Sequence, residues 1–276
     1  MPEGDSVHVL ARKLDRALLG RTLTRTDLRV PRLATRDLSG RTVLAHVTHG
    51  KHLLTRLSGG ATLHTHLRMD GSWTVTGVGK RLPGRLMPDV RVVLETDAGT
   101  TAYGIKLPVV ELVETAHEDT VVGHLGPDPL RADWDADEAV RRLSADPSRQ
   151  LAPALLDQRL MAGLGNLWAN ELCFLTGHSP WTPIGDVDVP ALVRLAARAL
   201  RHSAHVPGAY QVTTGNSRRG ESHWVSGRAG RPCLRCRTTV RVVAELTNDP
   251  DNRRAWWCPH CQPGPGPETR VPRPLT

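Results

Sequence analysis

The chain has 276 residues, enough for two ordinary domains and a small module. Lysine and arginine outnumber aspartate and glutamate by 36 to 28. The resulting net charge of +8 favours a polyanionic partner, and composition alone does not distinguish nucleic acid from a membrane surface. No apolar run reaches the roughly 18 residues needed to span a bilayer, and the N-terminus lacks the apolar core of a signal peptide, so we expect a cytoplasmic protein without membrane association.

The chain begins Met-Pro-Glu-Gly-Asp. Removal of the initiator methionine would leave Pro2 as the first residue, a secondary amine beside the carboxylate of Glu3. An α-amino group has a reference pKa of about 7.7 to 8.0, so an appreciable fraction of it is neutral near pH 7. A neutral amine can attack a sugar aldehyde to give an iminium. The same residues are also compatible with a processed N-terminus that has no chemistry.

Residues 5–19 predict an amphipathic helix, because apolar side chains recur at helical spacing and Gly20 follows the last of them. Asp5 or Ser6 is the predicted N-cap. Eight short runs of alternating character follow, separated by turns rich in Gly, Pro and Asp, a pattern typical of a β-sandwich or barrel. The predicted strands are 22–30, 41–48, 51–57, 61–67, 72–78, 90–95, 101–105 and 109–113.

Lys51 follows Gly50 at a tight turn between two predicted strands. From this position a long cation can project into a cleft, although a solvated surface lysine gives the same pattern. His64 and His66 lie on one face of a predicted strand. With no third ligand in view, we interpret them as structural residues rather than metal ligands.

The sequence Gly-Pro-Asp-Pro at 126–129 breaks regular structure and marks the end of the first predicted domain. Beyond it the pattern becomes helical. Gly-Leu-Gly at 163–165 precedes a helix starting at Asn166, so backbone N–H groups and the Asn166 amide can reach a phosphate, but such turns also occur without a ligand. The predicted helices are 135–143, 151–160, 166–175 and 189–202.

Residues 206–230 are rich in Gly, Ser and Arg. This composition predicts a mobile segment on the protein surface. Its arginines at 218, 219 and 228 are interpreted as cations available to phosphate.

Four of the five cysteines form two C-x-x-C pairs, separated by 21 residues that predict a β-hairpin with its turn at 249–252. Four thiolates at this spacing fill a tetrahedral Zn2+ site and leave no position for water, so the zinc would be structural. Arg253 lies at the predicted hairpin tip, where a solvated arginine is the ordinary finding. Cys173 is interpreted as a buried thiol. The predicted ligands are Cys233, Cys236, Cys258 and Cys261.

Seven segments of the chain carry a resemblance to a known family. They are Pro-Glu-Gly at 2–4, Gly-Lys at 50–51, His-Leu-Arg-Met-Asp-Gly at 66–71, Leu-Gly-Pro-Asp-Pro-Leu at 125–130, Gly-Asn at 165–166 followed by Ala-Asn-Glu-Leu at 169–172, Gly-Arg at 227–228 through Pro-Cys at 232–233, and Trp-Cys-Pro-His-Cys-Gln at 257–262. In this order and spacing they resemble the formamidopyrimidine-DNA glycosylase and endonuclease VIII family of base-excision repair enzymes. The opening Pro-Glu-Gly-Asp is more similar to the endonuclease VIII branch.

The resemblance implies a bifunctional DNA glycosylase and AP lyase that excises oxidised bases, with pyrimidines favoured, and cleaves the strand by β,δ-elimination. Pro2 would attack C1′ of the lesion sugar and form a Schiff base. Glu3 would handle the protons that open the sugar ring. Lys51 would bind a phosphate near the lesion and assist departure of the base.

The resemblance also implies a DNA-binding role for three further residues. Met69 would fill the gap that an extruded nucleotide leaves in the duplex. Asn166, in a helix-two-turn-helix element, and Arg253, in the zinc finger, would clamp phosphates around that nucleotide. Arg253 would also assist the second elimination.

The chain departs from the family pattern in three segments. Ser6 stands where the family usually carries a second glutamate. Arg68 and Asp70, on either side of Met69, are not the usual intercalating set. The strand over 103–110 lacks the arginine that the formamidopyrimidine branch presents to the orphan base.

Taken together, the sequence predicts an α+β multidomain protein. Its parts are a β-sandwich catalytic domain with flanking helices at 1–125, a linker and helix-two-turn-helix domain at 126–230, a zinc finger built on a β-hairpin at 231–262, and a disordered tail at 263–276. We expect a monomer that binds damaged DNA, one structural Zn2+ and no small-molecule cofactor.

Two other functions are compatible with parts of the pattern. A non-catalytic, zinc-dependent protein that binds damaged DNA would need the clamp residues but no free Pro2. A zinc deaminase is suggested only by the Pro-Cys-x-x-Cys run at 232–236, but the chain has no upstream His-x-Glu segment and four cysteines would leave the metal no water.

Overall fold

The structure is a computed structural model that describes residues 2–244, 246 and 253–267. It divides the chain into two compact units, Met1–Trp134 and Asp135–Thr276. Residues 126–134, which the sequence assigned to the linker, belong to the first unit. They are held there because the N–H of Gly50 donates to Asp128 Oδ2 at 2.7 Å and His49 Nε2 lies 2.9 Å from the Gly126 carbonyl oxygen.

The first unit is a β-sandwich with a helix at its start, as predicted. Each of the eight predicted strands forms. In chain order the elements are α1 (Gly4–Leu18), β1 (Leu23–Leu28), β2 (Val43–His49), β3 (His52–Leu57), β4 (Ala61–His66), β5 (Ser72–Thr76), β6 (Val90–Thr96), β7 (Thr101–Ile105), β8 (Val109–Glu114) and the short α2 (Asp119–Val122). Single 3₁₀ segments occur at Pro31–Leu33, Gly84–Asp89 and Thr115–His117.

Two four-stranded antiparallel sheets build the sandwich, one in the order β1-β6-β7-β5 and the other in the order β2-β3-β4-β8. The apolar residues that alternate with polar ones along the strands form the core. Leucines such as Leu23, Leu63 and Leu94 are at most 1% exposed. Burying a leucine of this kind contributes about 2 kcal/mol. Helix α1 adds its apolar face, including Leu14 and Leu18, to the same core.

Helix α1 begins earlier than its predicted cap. The N-cap is Glu3 rather than Asp5 or Ser6, and the N–H of Glu3 donates to Ser6 Oγ at 3.2 Å. Asp5 lies inside the first turn, where its carboxylate interacts favourably with the positive end of the helix dipole. The predicted cap was therefore wrong by two or three residues.

The second unit is helical, followed by a small two-stranded element. Its elements are α3 (Ala136–Leu143), α4 (Leu151–Leu156), α5 (Asn166–Thr176), a 3₁₀ segment (Ile184–Asp186), α6 (Val189–His205), β9 (Arg241–Val243) and β10 (Ala255–Trp257). Helix α4 stops before the predicted residue 160, because Asp157 leaves the helix to accept hydrogen bonds from Arg149 and Arg159.

Strands β9 and β10 pair antiparallel, as predicted for the hairpin. The predicted turn at 249–252 and the tail beyond residue 267 lie outside the described residues. A small apolar cluster of Phe174, Val225 and Val240 packs with two of the cysteines beneath this element. In the described part of the chain, no helix has both the length and the apolar character to cross a membrane.

Candidate functional site

Pro2 and Glu3 occupy the start of α1. Pro2 is half-buried, and Glu3 is fully buried at 0% exposure. The Glu3 backbone is held in the cap by Ser6, whose Oγ accepts its N–H at 3.2 Å, while the N–H of Ser6 donates to Asp5 Oδ1 at 2.8 Å. The serine that departs from the family pattern therefore fixes the backbone next to the predicted nucleophile.

The packing of α1 on β2 brings its N-terminus toward Lys51. Near the other end of the helix, the N–H of His46 donates to Asp15 Oδ1 at 3.0 Å, and Gly20 N–H donates to the Val43 carbonyl. From Asp15 back to Glu3 the helix rises about 18 Å. From His46 forward to Lys51 the strand and turn cover at most about 17 Å. Helix and strand run in opposite directions, so Glu3 and Lys51 lie at the same end of the first unit.

The loop that carries Met69 lies at this end too. In the register of β2, β3 and β4, His49 pairs with His52 and His52 pairs with His66. The turn containing Lys51 and the loop that follows His66 therefore emerge side by side. Three of the predicted sites, Pro2-Glu3, Lys51 and Met69, share one edge of the sandwich.

Close backbone packing shapes the Met69 loop. The N–H of Gly71 donates to the Leu67 carbonyl at 2.9 Å, and a Cβ at Gly71 would lie only 2.6 Å from that oxygen. Arg68 takes a positive φ of 44°, and its N–H donates to His66 Nδ1 at 3.0 Å. The loop leaves Met69 61% exposed at its tip. An exposed apolar side chain on a tightly built loop suits a wedge better than a core residue.

Asp128 holds the Lys51 turn. Gly50 needs a positive φ of 56°, and its N–H donates to Asp128 Oδ2, while Leu130 N–H donates to Asp128 Oδ1 at 2.8 Å. Burial raises the pKa of Asp128 to about 6, against the effect of these two hydrogen bonds. The Gly-Pro-Asp-Pro run, predicted only as a domain boundary, thus fixes the backbone from which Lys51 projects.

Four histidines cluster beneath this edge. His64 Nδ1 lies 2.9 Å from Glu111 Oε2, and His64 Nε2 lies 2.8 Å from His52 Nδ1. Because a carboxylate accepts, His64 Nδ1 donates to Glu111. His66 and His124 pack edge-on against His52, with ring centroids 4.6 and 6.0 Å away. The interpretation of His64 and His66 as structural residues agrees with this hydrogen-bonded stack.

The cluster predicts a fall in stability under mild acid. Burial, followed by the charge of Lys51, lowers the pKa of His66 to about 4, and burial lowers the pKa of His52 further. The unfolded chain binds protons below about pH 6.5 that the folded chain excludes, so the free energy of unfolding should decrease as pH falls from about 6.5 to 4. The raised pKa of Asp128 has the opposite effect, because the folded chain then binds a proton that the unfolded chain releases. This one group offsets only part of the loss of stability that the two histidines cause.

Urea unfolding at several pH values tests this prediction. His52→Gln combined with His66→Gln should flatten the dependence between pH 6.5 and 4. His117→Gln, which changes an exposed histidine, should leave it as steep as in the wild type. An equal slope in all three proteins would contradict the prediction.

In the second unit, a braced glycine turn leads into α5. Gln158 Nε2 donates to the Leu164 carbonyl at 2.8 Å, and Gln158 Oε1 accepts the N–H of Gly163 at 3.1 Å. Asn166 is the first residue of the helix and only 7% exposed. Its Oδ1 accepts from Asn170 Nδ2 at 3.2 Å, so its Nδ2 is the atom suited to an anion.

Asn170 links the start of α5 to the strand that follows Arg253. Asn170 Oδ1 accepts the N–H of Trp256 at 2.7 Å, and its Nδ2 contacts the Arg254 carbonyl at 3.4 Å. The structure therefore brings Asn166 and Arg253, separated by 87 residues, to one place in the second unit. Arg253 is half-buried, and its carbonyl accepts the N–H of Leu246 at 2.9 Å.

Glu171 organises the segment that composition predicted to be mobile. This carboxylate has 0% exposure and accepts backbone N–H groups from Trp224, Val225 and Ser226 at 2.8 to 2.9 Å, together with the Thr213 hydroxyl. Four donors satisfy a buried charge that would otherwise be costly. The segment 213–226 is therefore tied to α5 by one side chain.

The four predicted cysteine ligands converge. Their sulfur atoms lie within 4.8 Å of one another, and two of the distances are 4.0 Å (Cys233 to Cys261) and 3.4 Å (Cys236 to Cys258). Tetrahedral coordination with bonds near 2.3 Å separates sulfur atoms by about 3.8 Å. The donor set and its spacing fit one metal ion with four thiolate ligands. Cys173 is buried apart from this cluster, as predicted.

Sequence reasoning missed Asp128, Asn170 and Glu171 as organisers of the sites. Each lay inside a segment that carried the family resemblance, but its type and spacing gave no local reason for a role. The sequence does contain one indication of these roles. Each residue is a carboxylate or amide next to a glycine turn or inside an apolar helix, and a polar side chain buried there needs hydrogen-bond partners.

Two family models match the chain. The N-terminal domain of formamidopyrimidine-DNA glycosylase matches residues 1–104, and the H2TH domain of the same enzyme matches residues 125–202. Among curated proteins, the chain is 52% identical to "Probable endonuclease 8 2" of Streptomyces coelicolor, over 97% of this chain and 96% of the relative. It is 45% identical to "DNA-(apurinic or apyrimidinic site) lyase Nei2" of Mycolicibacterium smegmatis, over 95% and 99%.

Solved structures agree on the fold. A Lactococcus lactis Fpg (MutM), crystallised with DNA containing N7-benzyl-Fapy-dG, matches with a TM-score of 0.74 at 22% identity, covering 95% of this chain and all of that one. The same protein bound to DNA with an abasic site gives a TM-score of 0.74 at 21% identity, with the same coverage. With two family models and close relatives along nearly its whole length, the chain belongs to the formamidopyrimidine-DNA glycosylase and endonuclease VIII family of DNA repair enzymes.

Proposed function

We propose that this protein is a bifunctional DNA glycosylase and AP lyase that excises oxidised bases, with pyrimidines favoured, through a Schiff base on Pro2. The observation that supports the proposal is that the Pro2-Glu3 start of α1, the Lys51 turn and the Met69 loop lie at the same end of the first unit. Membership of a family whose named relatives are endonucleases and an AP lyase supports the same activity.

The chemistry begins at the N-terminus after methionine is removed. The nitrogen of Pro2 attacks C1′ of the damaged nucleotide, the base leaves with the electron pair of the glycosidic bond, and the proton lost from the Pro2 nitrogen passes to the departing base. Glu3, buried at the helix start, donates the proton that opens the sugar ring. Lys51 binds a neighbouring phosphate and assists departure of the base. The product is an iminium between Pro2 and the opened sugar.

Strand cleavage follows from the same iminium. Its positive nitrogen acidifies the proton on C2′, and loss of that proton expels the 3′ phosphate by β-elimination. A second proton loss expels the 5′ phosphate by δ-elimination. We assign assistance of this second step to Arg253.

DNA binding supplies access to C1′. A base must leave the stack before its glycosidic bond can react, and Met69 fills the vacated space as an apolar wedge. Asn166 and Arg253 hold the phosphates on either side of the extruded nucleotide. Zn2+, bound by the four cysteines, would supply only a crosslink that keeps β9, β10 and Arg253 in position.

Borohydride trapping tests the activity. Incubating the protein with a duplex that contains one abasic site, in the presence of sodium borohydride, should reduce the iminium to a stable covalent adduct seen by gel electrophoresis. Tight binding to the same duplex without any adduct would instead assign the chain to non-catalytic recognition of damaged DNA. A panel of duplexes, each with a single oxidised base, then tests the preference for pyrimidines.

Lys51→Ala should separate the two activities. We expect removal of an oxidised pyrimidine to slow by about 10²-fold, the scale of a lost general acid or charge contact, while cleavage at a preformed abasic site slows much less. Lys80→Ala, which removes an exposed lysine from the same unit, is the matched control. Equal losses in both assays would contradict a special role for Lys51 in base departure.

A further inference from the structure

A cavity of about 540 Å³ lies within the second unit, in the segment before the first cysteine pair. Three arginines line it, Arg219, Arg228 and Arg231, together with His223 and two serines. We refer to this cavity as the arginine pocket. Its size is that of a small-ligand site, larger than a bare phosphate group requires.

Arg228 is the unusual member of the arginine pocket. Its side chain is buried, with the residue only 6% exposed. One Nη donates to the Gly220 carbonyl and the other to the Pro232 carbonyl at 2.9 Å, while the buried Nε has no hydrogen-bond partner. Arg228, interpreted from the sequence as a cation available to phosphate, is therefore buried rather than on the open surface. A buried guanidinium with an unused donor is costly unless an anion completes it.

The surroundings of Arg228 add positive charge rather than compensate it. A Cβ placed on Gly220, which has a φ of +81°, would lie 2.7 Å from Arg231 Nη1, so the Arg231 guanidinium rests against the same backbone turn. Among the described residues, no carboxylate lines the cavity. Three guanidinium groups around one cavity favour an anion over a cation or an apolar group, and arginine matches phosphate oxygens in a fork geometry.

The fold connects this pocket to the proposed phosphate clamp. Glu171 accepts the backbone N–H groups of Trp224, Val225 and Ser226, and Ser226 lines the pocket. Glu171 lies five residues after Asn166 on α5, or about 7.5 Å along the helix axis. The anion that reaches Asn166 and the anion that enters the arginine pocket can thus belong to one extended chain.

We propose that the arginine pocket binds a backbone phosphodiester of the DNA substrate, as a phosphate contact additional to those of Lys51, Asn166 and Arg253. The inference rests on the proposed function, since it takes the partner to be the DNA on which the protein acts. The expected signature is electrostatic and independent of base sequence, because phosphate contacts carry no sequence information.

The salt dependence of DNA binding tests this inference. Arg219→Ala combined with Arg231→Ala removes two exposed cations of the pocket and leaves the buried Arg228 in place. Each phosphate contact contributes about 0.9 to the slope of log Kd against log salt for duplex DNA. We expect the double variant to lose about one unit of slope and to bind an abasic-site duplex roughly tenfold more weakly at 0.1 M salt.

The matched control removes the same charge elsewhere in the second unit. Arg194→Ala combined with Arg198→Ala changes two exposed arginines of α6 and should keep the wild-type slope. Thermal unfolding of both double variants verifies that each is folded. A pocket variant with the slope of the wild type overturns the inference.

Two further arms separate the possible failures. In the first arm, the outcome to look for is that inorganic phosphate raises the melting temperature of the wild type but not of the pocket variant, while the two proteins bind DNA with the same salt slope. The pocket would then bind a free anion rather than DNA, and the inference would fail. Borohydride trapping is run in parallel on the wild type. Absence of an adduct would contradict the proposed activity, whereas an adduct with unchanged salt slopes would contradict only the arginine pocket.

Discussion

A protein that retains an extra residue ahead of Pro2 should form no borohydride adduct with abasic DNA. The nitrogen of Pro2 would then be part of an amide, whose lone pair is delocalised into the carbonyl and is no longer nucleophilic. Base removal should fall by on the order of 10³-fold or more, the scale observed when a covalent nucleophile is lost. Single-turnover assays with an oxidised pyrimidine measure this rate.

Pro2→Gly provides the matched control for the N-terminus. It keeps a free amine at the same position, so an adduct should still form, although more slowly. Mass spectrometry of peptides from the trapped complex should locate the sugar on residue 2. Full activity in protein that still carries Met1, or a sugar attached to another residue, would contradict the mechanism.

Cys258→Ser should abolish high-affinity binding to damaged DNA. Cys258 is fully buried beside Val240 and Phe174, and its sulfur lies 3.4 Å from that of Cys236. If the four sulfur atoms bind zinc as proposed, loss of one thiolate weakens the crosslink between β9 and β10. Only a small apolar cluster packs with these cysteines, so we expect the element to lose its structure without the metal. Arg253 then loses its position, and we expect DNA affinity to fall by about 10²-fold or more.

Cys173→Ala is the control for this experiment. It also removes a fully buried thiol from the second unit, but Cys173 lies outside the four-sulfur cluster. Elemental analysis should find one zinc per chain in the wild type and in this control, and less than one after Cys258→Ser or treatment with a strong chelator. Undiminished DNA affinity in metal-free protein would contradict the structural role of the metal.

The sequence by itself determined the main helices and strands and was enough to propose most of the candidate site residues. Period-two alternation between residues 22 and 113 predicted all eight strands, because a half-buried strand needs apolar residues on one face only. Helical periodicity predicted the main helices for the corresponding reason, and C-x-x-C spacing predicted the four-sulfur cluster that forms. These signals are local, so a single stretch of chain carries each of them.

Only the tertiary structure decided how the sites are held. That Lys51 and Met69 share an edge follows from the register of β2, β3 and β4, which no local pattern encodes. Asp128 reaches Gly50 across 78 residues, and Glu171 reaches Ser226 across 55. Buried polar groups must find partners, and folding brings those partners from distant parts of the chain. The same reason applies to residues 206–230, whose composition predicted a mobile segment. The side chain of Glu171 binds the backbone of residues 224–226, and Ser226 in this part of the segment lines the arginine pocket.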